Sequence, residues 1–232
     1  MKKHRLAATG AALALVVGSI GFAVPAIAAE IAVPDNSYGA EGDSYPNGWF
    51  TGSPQPAVAP VDDATGITLT GQTQFLYGGI IPIAGGTDFT ALVGGSAVDA
   101  DGLVTFQYPV FFNSASDGNL GFTTIRPVPT GTPTTSGTWV SSQNVVIGET
   151  LILSQGQHTW DEIVAAFDDA AALDAVPEVL AVGVFVDPGQ TALVRSISFG
   201  GNTYNFDIAA VIPAPAPAPV PAPIAIDATF TG

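Results

Sequence analysis

From Gly66 onward the chain never runs far without a turn signal: Gly78-Gly79, Gly94-Gly95, Pro109 and Gly200-Gly201 cut it into short β-prone runs. Many short strands separated by turn residues can bury their apolar faces only against one another, which is the pattern of a sandwich or barrel. The runs are 67–70, 75–77, 89–93, 103–112, 121–128, 138–147, 150–153, 179–186, 192–199 and 204–208. Leu103, Thr105 and Gln107 alternate with Val104, Phe106 and Tyr108, after which Pro109, without an N–H to give the ladder, interrupts. Val182, Val184 and Val186 alternate with Gly183 and Phe185, as in a strand buried on both faces. Residues 196–199 and 202–206 flank Gly200-Gly201, where paired glycines supply the positive φ of a tight hairpin turn.

One stretch has the other period. Thr159-Trp160-Asp161-Glu162 has the form of a capping box, and Trp160, Ile163, Val164, Phe167 and Ala171 follow at helical spacing. A helix over about 159–174 is expected, packing one stripe on the sheet and stopping before Pro177. The expected fold is thus all-β, a jelly-roll-like antiparallel β-sandwich over 66–212 with one short helix. Residues 29–65, rich in Pro, Gly, Ser and Asn, are expected to form an irregular arm. The Ala-Pro alternation over 213–223 predicts a stiff extended spacer, and 224–232 a terminal strand or a disordered end.

The N-terminus sets the compartment. Lys2, Lys3, His4 and Arg5 precede an uncharged apolar stretch that ends at Pro25-Ala26-Ile27-Ala28-Ala29, the three parts of a secretory signal peptide cut after Ala28. An uncleaved membrane anchor is the alternative, weakened by Gly10, Gly18 and Gly21. Cleavage predicts an extracellular protein, secreted or wall-associated, with no integral span after processing.

What remains excludes several chemistries. Residues 29–232 hold two cations, Arg126 and Arg195, against 20 carboxylates, with no lysine or cysteine and His158 as the one histidine. A thiol nucleophile, a Schiff base, a P-loop and a common two- or three-His zinc site are therefore out of reach within one chain. So acidic a chain repels phosphate backbones, which argues against a nucleic-acid partner. Calcium is the metal such a composition could serve.

No catalytic constellation stands out. His158 would have to serve as base for any serine nucleophile, but no G-x-S-x-G elbow is present and it sits at a helix entrance. Asp161, Glu162, Asp168 and Asp169 read as the capped start and solvated face of the helix. Asp99 and Asp101 resemble the opening of a calcium loop, but Leu103 stands where the next oxygen ligand belongs and a plain Asp-Gly turn is the alternative. Among the aromatics, Tyr45 and Trp49, in their Pro/Gly-rich surroundings, are the candidates for an exposed ligand-binding patch.

The run 179–186, followed by 192–199 and the Gly-Gly-Asn-Thr-Tyr-Asn-Phe206 hairpin, resembles the closing strands of secreted actinobacterial β-sandwich proteins of the laminin-G or carbohydrate-binding-module kind. The similarity covers residues 137–208. It implies a cell-surface sandwich and carries no catalytic residue across. Two functions follow as expectations: a non-catalytic exported module that binds glycan or a cell-wall component or is itself structural, and, as the rival, a secreted glycan hydrolase using a carboxylate pair. Aromatics on a concave face would favour the first, acids sharing a groove the second.

Overall fold

The computed structural model describes residues 29–34, 38–40, 45–53, 55–114 and 120–207. The signal-peptide pattern, the Ala-Pro spacer and residues 224–232 lie outside them. In chain order the elements are β1 Ala29–Ala32, β2 Gly39–Ala40, β3 Gly48–Thr51, β4 Val61–Asp63, β5 Gly66–Thr70, β6 Thr73–Pro82, α1 Gly86–Gly94, β7 Ala97–Asp101 and β8 Thr105–Ser114. There follow β9 Leu120–Pro127, β10 Thr138–Ser141, β11 Val145–Ile147, β12 Thr150–Leu153, β13 Gly156–Thr159, α2 Trp160–Ala172, β14 Ala175–Val186, β15 Thr191–Phe199 and β16 Asn202–Asn205.

The protein is mostly β and sandwich-like. A large sheet runs β13-β10-β9-β8-β14-β6-β3-β2, and a smaller one runs β1-β16-β15-β5-β4 with β7 also on β15. Most pairings are antiparallel; β1 with β16 and β2 with β3 are parallel. The strand read as buried on both faces is β14, at the centre of the large sheet with Val182, Val184 and Val186 fully buried.

Cross-strand partners share a face. The pairs Phe106–Val184, Val184–Phe75, Val182–Tyr77 and Tyr77–Trp49 therefore line up on one side of the large sheet, the inner face. Its two halves are covered differently. Over β6 and β3, Trp49 stacks on Phe75 with centroids 4.9 Å apart and meets Tyr204 and Phe206 of the smaller sheet edge-on at 5.5 and 4.9 Å. Over β8 to β10 the cover is helical: Phe89 of α1 stacks on Phe167 of α2 at 4.3 Å, Phe167 meets Phe112 at 5.0 Å, and Trp160 meets Trp139 at 5.0 Å.

The helix expected near 159–174 is α2, and both hydrogen bonds of its capping box are formed. A second helix replaces the expected strand at 89–93. In α1, Phe89, Leu92 and Val93 are buried at i, i+3 and i+4, a helical stripe. Its N-cap is Gly85, which offers no side chain; instead Asp168 of α2 accepts from the Gly86 amide at 2.8 Å. A Cβ on Gly86 would lie 2.4 Å from Val164, so glycine permits the two helices to touch.

Three further readings are corrected. Residues 29–65 are not an irregular arm: β1 to β4 join both sheets, the backbone ladder overriding local turn chemistry. Pro109 does not end its strand. It pairs with Thr124 of β9, while on the β14 side the register shifts between Val179 and Gly183, so the missing N–H falls where that ladder is already interrupted. The 138–147 run is two strands, β10 in the large sheet and β11 in a separate two-stranded sheet with β12.

Candidate groove on the outer face of the large sheet

Trp49 and Phe50 are adjacent on β3 and so point to opposite faces. Trp49 points inward and is 6% exposed, which corrects its expected exposure. Phe50 points to the outer face, where it packs with Leu76 and Ala181 under Tyr45. Tyr45 is held there by the chain itself: the turn at Pro46 crosses β6 at Gly78, whose absent Cβ would fall within 1.8 Å of the Pro46 carbonyl oxygen. Its ring meets Phe50 edge-on at 5.5 Å and 81°.

Across β14 the outer face is low, because Ala181 and Gly183 carry little or no side chain. A Cβ on Gly183 would come 2.1 Å from the Phe75 carbonyl oxygen, so this position admits nothing larger. Beyond it stand Phe111 of β8 and its cross-strand partner Phe122 of β9, edge-on at 5.3 Å and 69°. Between these ridges lies a groove of about 460 Å³ lined by Tyr45, Ser53, Gln74, Phe111, Phe122 and Thr124. Three aromatic rings, the Gln74 amide and the Ser53 and Thr124 hydroxyls meet there, and among the described residues no carboxylate lines it. An apolar hollow with a few convergent polar groups is the usual form of a small-ligand site.

Tyr45 is thus in the groove and Trp49 is in the core. Phe111, Phe122, Gln74 and Thr124 escape sequence reading, since three separate strands, β6, β8 and β9, and the segments flanking β3 supply the walls. One signal was present: the doublet Phe111-Phe112 breaks simple alternation, so one of the two rings must face outward.

Asp99 and Asp101 lie together, on β7 rather than in a turn. A β-bulge sets Arg195 out of register between Val194 and Ser196, and its guanidinium reaches Asp99 at 3.5 Å and Asp101 at 2.5 Å. That contact raises the arginine's pKa, Asp101 contributing most. One carboxylate oxygen of each, Asp99 Oδ1 and Asp101 Oδ2, is thus turned to the arginine. Among the described residues no three His, Asp or Glu side chains gather as metal ligands.

Two acids of α2, Glu162 and Asp169, open on a different hollow, about 340 Å³, which His158 also helps to line. His158 stands on β13 opposite Trp139, and its Nε2 is 2.7 Å from the Ser154 carbonyl oxygen. The Glu162 carboxylate accepts from the Thr159 amide at 2.7 Å and from its hydroxyl at 3.0 Å. Those donors hold it below the ordinary glutamate range, the backbone amide contributing most. A general acid of glycoside hydrolysis needs the opposite shift.

Among the described residues no helix is long and apolar enough to cross a membrane. Compared with known proteins, the chain matches no family model, no curated protein and no solved structure.

Proposed function

We propose that this chain is an exported, non-catalytic glycan-binding module of a cell surface or wall, and that the groove beneath Tyr45 is its binding site. The observation that carries the reading is the placement of Tyr45, Phe111 and Phe122 around Gln74 and Thr124 with no acid among them. A sugar ring has C–H faces that pack on the negative face of an aromatic ring, and equatorial hydroxyls that pair with an amide or hydroxyl at the rim. The basic n-region and A-x-A site support the extracellular setting. The hydrolase reading asks for two carboxylates flanking one cleft. One pair that shares a hollow among the described residues, Glu162 and Asp169, includes a carboxylate committed to capping α2.

The test is a panel of immobilised neutral and acidic glycans probed with the secreted protein and its Tyr45→Ala and Phe122→Ala variants. The wild type should retain at least one glycan, and each variant should lose about fivefold in affinity, since stacking contacts contribute on the order of 1 kcal/mol each. Retention unchanged in both variants would place the site elsewhere.

A further inference from the structure

The outer edge of the groove continues past Thr124. On β9, Phe122, Thr124 and Arg126 fall on alternate positions and share the outer face, with Val140 of β10 opposite Arg126 and Gln157 of β13 opposite Val140. At about 3.4 Å per residue, Arg126 lies roughly 14 Å along the strand from Phe122. Arg126 lines a second hollow of about 280 Å³ with Thr105, Gln157 and Asp187 among its walls. Thr124 borders the first hollow and Arg126 the second, so the two lie end to end on one face.

The charge at that end stands out against the rest of the chain. Residues 29–232 carry 20 carboxylates and two arginines. Arg195 is spent on Asp99 and Asp101, whereas Arg126 makes no ion pair with a described residue, although Asp187 borders the same hollow.

We infer that the ligand of this face is an acidic glycan, a uronate-bearing chain whose ring stacks at Tyr45, Phe111 and Phe122 while a carboxylate further along is held by Arg126. The inference rests on the groove being a glycan site and names the class of glycan. An unpaired guanidinium presents a planar fork that binds a carboxylate through two parallel N–H···O bonds. At physiological ionic strength the Debye length is about 8 Å, so the chain's more distant carboxylates are largely screened from a ligand there.

The experiment is titration calorimetry of the secreted protein with oligogalacturonate and with hyaluronan oligosaccharides, each against its fully methyl-esterified, uncharged counterpart. For at least one of the two, the acid should bind at least tenfold more tightly than its ester. Arg126→Gln should remove that preference by weakening the acid and leaving the ester unchanged, and Arg126→Lys, which keeps the charge without the fork, should restore part of it. Phe122→Ala should weaken acid and ester alike. Equal binding of acid and ester by the wild type, or an Arg126→Gln variant with undiminished affinity for the acid, overturns the acidic-glycan inference while the groove stands as a glycan site. Failure of both acids and both esters to bind overturns the acidic-glycan inference, and failure of every neutral glycan as well overturns the groove reading with it.

Discussion

Replacing Trp49 by alanine separates a core residue from a ligand platform. The indole is 6% exposed, stacks on Phe75 and meets Tyr77, Phe199, Tyr204 and Phe206, so it joins the two sheets. Truncating a buried Trp to Ala costs about 3–5 kcal/mol through lost burial and the cavity left behind. Part of that returns, because Trp49 Nε1 is buried without a hydrogen-bond partner and its removal lifts a penalty of about 1 kcal/mol. The net loss of about 2–4 kcal/mol corresponds to a fall in the thermal midpoint of about 4–16 °C for a domain of this size. Trp49→Phe keeps a ring against Phe75 and discards the unpaired N–H, so it should lose less than half as much. Thermal unfolding followed by near-ultraviolet circular dichroism reads both. A Trp49→Ala midpoint within about 2 °C of wild type, with glycan binding abolished, would refute the inward placement of Trp49 and the face assignment built on it.

Three other consequences can be checked on the same material. Glu162 titrates below its usual range in the folded chain, so its contribution to stability is present above the unfolded value of about 4.5 and is lost as pH falls through the lower folded value. The midpoint difference between wild type and Glu162→Gln should accordingly shrink on acidification, and a difference that grows would contradict the capping role. Gly183→Ala drives a Cβ to within 2.1 Å of backbone and should cost about 1–3 kcal/mol or more by overpacking; a midpoint equal to wild type would show that the β14–β6 approach is looser than described. Because Arg195 occupies Asp99 and Asp101, millimolar calcium should leave the midpoint unchanged, and a rise of several degrees abolished by Asp101→Asn would show a cation displacing the arginine.

How much was legible in the sequence followed from how local each signal was. The valine alternation of β14, the Gly200-Gly201 hairpin and the box at Thr159 are written within a few residues, and all three are present in the fold. Helix α1 was hidden because Asp168, 82 residues away, caps it, while glycines at both ends imitate strand-bounding turns. β3 was hidden for a related reason: Pro46-Asn47-Gly48 reads as loop, and only pairing with β6 turns Trp49 inward and Phe50 outward. Asp99 and Asp101 resembled a calcium loop because their neutralising partner lies 94 residues from Asp101. The groove was least legible, since its walls come from β6, β8, β9 and the turn before β3, and its floor depends on Gly183 in a strand whose valines drew the eye inward.

The central claim is that ligands meet the outer face at Tyr45, Phe111 and Phe122, and aromatic-ring NMR of the protein tests it most directly. The protein would be titrated in turn with neutral β-glucan, xylan, chitin and galacturonate oligosaccharides, following the ring carbons and the three indole N–H signals. With at least one ligand, the rings of Tyr45, Phe111 and Phe122 should shift together and saturably, while the indoles of Trp49, Trp139 and Trp160, all packed on the inner face, stay in place. No shift with any of these glycans, or shifts confined to His158 and the Trp160 indole beside α2, would contradict the account.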